Sequence, residues 1–189
     1  MATITDPSHF VGGITLPNID ITGPEYSLIT DYIDKYEPEF LQLIFGYAMY
    51  KDFEQGLIDN TAIYTAIRDG GEYTDIFGRL QKWEGFVSGK NPIANYIYGK
   101  YVRDNSVNIT GVGATVSVVE NGTRVSPHIK LVMAWNEMVK RNNKLHDYLY
   151  ANQELYPNYI GLVYPPYIYI DSAIMDNQFL FKYSNSLGI

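Results

Sequence analysis

The residues of this chain that most invite a chemical reading are "GVGATV", Gly111–Val116, which begin like a glycine-rich phosphate loop. Such a loop needs a third glycine and a strand–turn–helix setting, so that backbone amides and a helix N-terminus can face a pyrophosphate. Here Val116 stands at the third-glycine position, a helical segment precedes, and β-branched residues follow. No Gly-Lys-Ser/Thr run is present. Nucleotide binding is set aside on that context. The three histidines, His9, His128 and His146, are not paired at metal-ligand spacing and read as surface or capping residues. No serine sits in a G-x-S-x-G elbow. The acidic pairs Asp31/Asp34 and Glu37/Glu39 fall near helix starts or on polar faces, where the helix dipole and solvent account for them. Asn108-Ile-Thr110 and Asn121-Gly-Thr123 match glycosylation sequons, but no secretory signal is recognised that would make them sites. No catalytic, cofactor or metal site is predicted.

The elements around these residues suit a different task. Residues 1–23 carry Pro7, Gly12, Gly13, Pro17 and Gly23 among scattered Ile and Thr. They read as an extended N-terminal arm that orders only on something beneath it. Pro24 suits the first turn of a helix whose stripe is Tyr26, Ile29, Ile33 and Tyr36. Pro38 is expected to restart a second helix, with Leu41, Ile44, Tyr47 or Ala48, and Phe53 inward and Gly56 as its stop. A short helix is read over 60–68. Gly70-Gly71 then breaks it, and residues 71–83 read as a small hairpin, with a helix as the alternative. Asn91-Pro92 opens a helix to about Asn105 with Ile93, Tyr96 or Ile97, and Tyr101 inward. Ser126-Pro127 opens another, to about Ala151, with Ile129, Val132 or Met133, Asn136, Val139, Leu145 and Leu149 as its stripe. Between them the Val- and Thr-rich run reads as a strand, a turn at Asn121-Gly122, and a short return through 123–125. A loop of that length tends to be functional. The tail, with Pro157, Pro165 and Pro166, is neither a continuous helix nor a central strand. It is rich in Tyr, Ile and Phe, so it should lie on a core, its own or a neighbour's.

The expected fold is therefore mainly α: a helical bundle with an extended β flap or hairpin inserted between two long helices, and extended N- and C-terminal arms. The arm spans 1–23, the core 24–155 with the β excursion at 106–125, and the tail 156–189.

Composition bounds the task. The chain has 189 residues, 46% hydrophobic and 19% charged, enough for one domain with a core. No apolar run approaches the roughly 18 residues that would suggest a membrane span. There is no cysteine, which removes disulfides and Cys-based zinc and favours a cytosolic origin. A net charge of −7 argues against a protein that wraps nucleic acid through its phosphates. The 18 tyrosines point to protein interfaces, with a Tyr-rich core as the alternative.

"GGEYTD", "GRLQKWEGF", "NPIANYIYGKYVRDN", "TGVGATVSVVENGTRVSP" and "KLVMAWNEMVKR" together resemble a family of small proteins from tailed phages and prophages of Bacteroides-like hosts, crAss-like phage ring proteins among them. The family is similar in plan to head–tail connector (adaptor) proteins, helical bundles with long loops and termini assembled as a ring beneath the portal. The likeness runs from about Glu37 to Tyr159 and leaves the arm and residues 160–189 uncovered. It implies a non-enzymatic virion protein at the head–tail junction, present in the host cytoplasm during assembly. It implies a homo-oligomeric ring, a dodecamer because the portal is its partner, next to neck or tail proteins. Double-stranded DNA would pass through without sequence-specific binding, with no membrane and no cofactor. A neck or tail-completion protein lower in the tail shares every one of these features, and a small phage accessory enzyme is the reading from another class. In a ring, Val112, Thr115, Val116, Val118 and Val119 would form the inter-subunit strand by strand addition. Ile14, Leu16, Ile19 and Ile21 would anchor the N-terminal arm at a partner interface. Tyr164, Tyr167, Tyr169, Phe179 and Phe181 would anchor the tail on a neighbour.

Overall fold

The structure, a computed structural model, describes residues 3–16, 23–105, 108–110, 113–115 and 128–160. Two 3-10 turns, Pro7–His9 and Gly12–Ile14, precede α1 (Pro24–Ile58) and α2 (Ala62–Asp69). The hairpin β1 (Gly71–Thr74) and β2 (Leu80–Trp83) follows, then α3 (Pro92–Asn105), the hairpin β3 (Asn108–Thr110) and β4 (Gly113–Thr115), and α4 (His128–Ala151). The fold is mainly helical, a bundle with small antiparallel hairpins. α3 packs along α4 and against α1, and their apolar stripes meet in one core.

Local chemistry sets the start of α3. Asn91 caps α3: its Oδ1 accepts from the amide of Ile93 at 2.9 Å, and Pro92 takes the first position, where no amide partner is needed. Ile29, Ile33 and Tyr36 are buried at helical spacing, as are Ile93, Tyr96 and Ile97 on α3. Tyr96 O–H and the buried Lys100 both reach Glu39 on α1, at 2.6 and 3.3 Å, so α1 and α3 are tied by polar as well as apolar contacts.

Four expectations change. α1 passes through Pro38 and breaks instead at Gly46, whose backbone leaves the helix with a positive φ of 74 and ψ of 161. That break rotates the stripe. Ile44 and Phe45 are buried before it, Met49 and Tyr50 after it, and Tyr47 and Ala48 face solvent. Gly56 lies inside the helix, which runs on to Ile58. On α4, Val132, Val139, Leu145 and Leu149 are inward as expected, but Ile129 and Met133 are exposed. For the tyrosines, read as interface residues with a Tyr-rich core as the alternative, seven take the alternative: Tyr36, Tyr50, Tyr96, Tyr98, Tyr148, Tyr156 and Tyr159 are buried. A phenol suits that position because its ring fills space while its hydroxyl finds a partner at the edge.

The β1–β2 hairpin is fastened to the bundle at its base. Trp83 is buried and its Nε1–H donates to the Ile67 carbonyl at 2.7 Å. The Phe86 amide donates to the Arg68 carbonyl at 2.7 Å. This closeness requires glycine on both segments. Gly70 (φ +92) and Gly85 (φ +78) lie back to back, and a Cβ on Gly85 would fall 2.5 Å from the Arg68 carbonyl oxygen. Gly85→Ala is expected to lose about 1–3 kcal/mol of stability through its left-handed backbone alone. Chemical denaturation checks this, with Gly78→Ala as comparison, since Gly78 (φ +77) carries similar strain and has no contact for an added Cβ.

Candidate functional site

The surface that this frame presents most firmly is the turn between β1 and β2. Asp75 organises it. Its Oδ1 accepts from the amides of Phe77 and Arg79, both at 2.9 Å, and its Oδ2 accepts from Arg79 Nε at 2.8 Å. Its own amide donates to the Arg79 carbonyl at 2.9 Å, and the Gly78 amide returns to the Asp75 carbonyl at 2.9 Å. Desolvation pushes the Asp75 pKa up, but the hydrogen bonds from Arg79 and Phe77 outweigh it and hold the carboxyl below its ordinary value. A turn so closed on itself is ordered before it meets anything. Yet it holds Ile76 and Phe77 69% and 74% exposed, with Leu80 at the start of β2 72% exposed. The Arg79 guanidinium lies over the Phe77 ring, 5.1 Å from its centroid, and steadies that side chain. Large apolar side chains fixed in solvent by a polar scaffold are the arrangement of a contact site. The pairs Asn-Gly and Gly-Gly drew attention elsewhere in the sequence, whereas the signal here was Asp75 four residues before Arg79 with two apolar residues between.

Among the described residues of the excursion between α3 and α4, Gly113–Thr115 pairs antiparallel with Asn108–Thr110 of the same chain, Asn108 opposite Thr115 and Thr110 opposite Gly113. Both strands fall inside the 106–125 span read as the β excursion, and this pairing lies upstream of the turn expected at 121–122. Thr115 is on this ribbon. Val112, Val116, Val118, Val119 and the turn at 121–122 lie outside the described residues.

The N-terminal arm is not an arm over its described part. Phe10, Ile14 and Leu16 are buried in the chain's own core. Ile14 and Leu16 therefore have almost no surface left for a partner, which corrects their assignment to an interface; Ile19 and Ile21 lie outside the described residues. Glu37 holds the segment down. It is 4% exposed, and its two carboxylate oxygens accept from the amides of Ile4 and Thr5 at 2.9 and 2.7 Å. Asn91 adds a bond to Thr5 Oγ1 at 3.0 Å and meets His9 Nδ1 at 2.9 Å. Glu37 is thus a buried clasp rather than a solvated helix-start charge. Burial raises its pKa, against the pull of those amides.

The root of the tail is held too. Tyr156 donates to the Ile63 carbonyl at 2.8 Å, and Asn158 donates to Asp52 at 2.5 Å. The Tyr159 hydroxyl meets Nδ1 of His146, which is half-buried rather than superficial. Nε2 of His146 is buried and has no partner. Tyr164, Tyr167, Tyr169, Phe179 and Phe181 lie outside the described residues. Desolvation lowers the His146 pKa, so the folded chain favours the neutral ring. The sign follows: its contribution to stability is complete above the ordinary histidine value of 6.5 and is lost as pH falls below it. Unfolding between pH 7 and 5 should show a stability decline that is shallower in His146→Gln. Some slope should remain, because burial also lowers His9. Equal slopes in the two proteins would contradict this role of His146.

Beside Glu37 a cleft of about 20 Å³, lined by Ile4, Leu41, Tyr50, Phe53, Glu54 and Leu57, has room for about one water. Among the described residues, no group of three or more His, Asp or Glu is placed to hold a metal ion, and no helix is long and apolar enough to cross a membrane. No family model matches the chain, and no curated protein and no solved structure matches it.

Proposed function

We propose that this chain is a structural, non-catalytic virion protein. It would be one subunit of a head–tail connector ring of twelve copies that joins the portal to the tail or neck and lets double-stranded DNA pass. The observation that carries this reading is the β1–β2 tip: a turn closed by Asp75 that keeps Ile76, Phe77 and Leu80 in solvent on a base locked to the bundle. A subunit that must meet neighbours in one fixed geometry benefits from such a preorganised contact. The β3–β4 ribbon supports the same reading, since two short strands offer backbone for strand addition. The net charge of −7 suits a lumen that does not trap phosphates. The subunit would assemble in the host cytoplasm and end at the head–tail junction.

The test is the mass in solution of the purified chain, alone and then mixed with the portal protein of the same virus. A chain that gains a ring-sized mass with the portal supports the proposal. A compact monomer that never binds the portal rejects it and turns attention to a position lower in the tail or to an accessory enzyme.

A further inference from the structure

We infer that the root of the C-terminal tail is a latch that His146 opens in mild acid: protonation of its imidazole frees residues 152–160 from the bundle while the helices stay folded. The latch stands whether or not the chain forms a ring. Few contacts hold the root. Of residues 153–160 only Tyr156 and Tyr159 are buried, and Ile160 is 86% exposed. Tyr156 is tied to the Ile63 carbonyl on α2, and Asn158 to Asp52 on α1. Tyr159 lies against His146 of α4, ring to ring at 6.0 Å, with its hydroxyl on Nδ1. A segment with two buried side chains opens at far less cost than a helix that spans the core.

The ring has no place for a second proton. In a neutral imidazole one nitrogen carries a hydrogen and the other a lone pair, so Nδ1 pairs with the Tyr159 hydroxyl in either sense. Protonation makes both nitrogens donors. Nε2–H then becomes a charged donor at a buried atom that has no partner. The Asn142 side chain, one turn earlier on the same face of α4, is 2% exposed and makes no bond to the ring. Lifting Tyr159 away lets the half-buried imidazole turn into water, at the loss of two buried phenols.

The surrounding charges do not replace this trigger. Tyr159 is the titratable group in contact with the ring. Asp147 follows on α4 and its charge reaches Tyr159, Asp75 of the hairpin turn reaches Asp147, and Asp52 of α1 holds the root through Asn158. Burial, not one of these charges, is what lowers the His146 pKa. An opened root restores the ordinary histidine value of 6.5, so the open form binds the proton more tightly than the closed one. Below 6.5 the opening constant therefore rises about tenfold per pH unit, until the closed form's own lower value is reached.

Hydrogen exchange of the full chain, read by mass spectrometry at about pH 7.5 and 5.5 and corrected for the intrinsic pH dependence of exchange, tests the latch. The reporters are the amides of Leu155, Tyr156 and Tyr159, which donate within the root at 2.9, 3.1 and 2.9 Å. The expected result is faster exchange there at the lower pH, by up to about tenfold, with α1, α3 and α4 protected at both. His146→Gln, which takes no proton, should exchange equally at the two pH values. His9→Gln and Asp147→Asn should keep the rise; they control for the other histidine whose pKa burial lowers and for the carboxylate whose pKa burial raises toward this window. Equal corrected rates in the parent would overturn the latch, and so would a rise that survives His146→Gln. Loss of protection in α1, α3 and α4 together with the root would overturn it in favour of global unfolding. The parent also decides without any variant: NMR titration must place the His146 ring below 6.5, and a midpoint at or above that value overturns the latch.

Discussion

Trp83→Ala is expected to destabilise the chain by about 3–5 kcal/mol, the range for removing a buried aromatic side chain. Trp83 is among the largest fully buried side chains described, and it stands where three things meet. Its ring packs edge-on to Phe86 at 5.6 Å, and Phe86 in turn meets Phe53 of α1 at 6.5 Å. Its Nε1–H satisfies the carbonyl of Ile67, which would otherwise be left without that donor at the end of α2. Its backbone pairs with Gly71, the first residue of the opposite strand. Alanine would open a cavity and orphan the Ile67 carbonyl, and it would loosen the base that aims the tip. Trp83→Phe separates the contributions. It keeps most of the packing and removes the hydrogen bond, so it should lose about 1–3 kcal/mol. Urea denaturation of the three proteins checks this, and equal losses for Ala and Phe would contradict the packing role.

Glu37→Ala is expected to release the N-terminal segment and lose about 2–5 kcal/mol, because two amide donors at Ile4 and Thr5 would lose their acceptor. Thr5 is itself buried, so water would replace Glu37 only if the segment lifted away. Lifting it exposes Phe10, Ile14 and Leu16. Limited proteolysis should therefore cut the variant before residue 16 under conditions where the parent is intact. The pH dependence has a definite sign. The folded pKa of Glu37 is raised, so its titration favours the folded state below the ordinary glutamate value of 4.5, and this contribution is lost as pH rises through the folded pKa. Histidine titration at His9 and His146 acts in the opposite direction below pH 6.5. Between the two windows the stability profile should bend, and the Glu37→Ala variant should lack the acid-side gain.

Much of the helical frame was legible because its signals are local. Asn91-Pro92 marks a cap, Gly70-Gly71 a break, and the spacing of Ile29, Ile33 and Tyr36 a buried face, and each depends on residues a few positions apart. What was not legible depends on distant partners. Glu37 reads as a solvated charge until the segment at Ile4 and Thr5 is laid over it, 33 and 32 residues away. The N-terminal 3-10 turns have no periodicity to announce them, and only their packing shows that Ile14 and Leu16 belong to the core. Pro38 drew the expected helix break although the left-handed φ of Gly46 makes it. At the candidate site, the hairpin was legible from its turn residues and strand formers, but the exposure of Ile76, Phe77 and Leu80 was not. Alternation says which face a residue takes, whereas solvent at a tip depends on what the rest of the bundle leaves uncovered. Ile129 and Met133 show a related limit: Val132 and Ala134 beside them are buried, so the two exposed residues lie on a face of α4 turned away from the core.

The most direct test of the central claim is electron microscopy, viewed end on, of the purified chain mixed with the portal protein that the proposal assigns as its partner. The account predicts a closed ring of twelve subunits coaxial with the portal, with a lumen wide enough for a DNA duplex and each β1–β2 tip seated on its neighbour. Portal particles with no added density, beside free compact monomers of this chain, would contradict it.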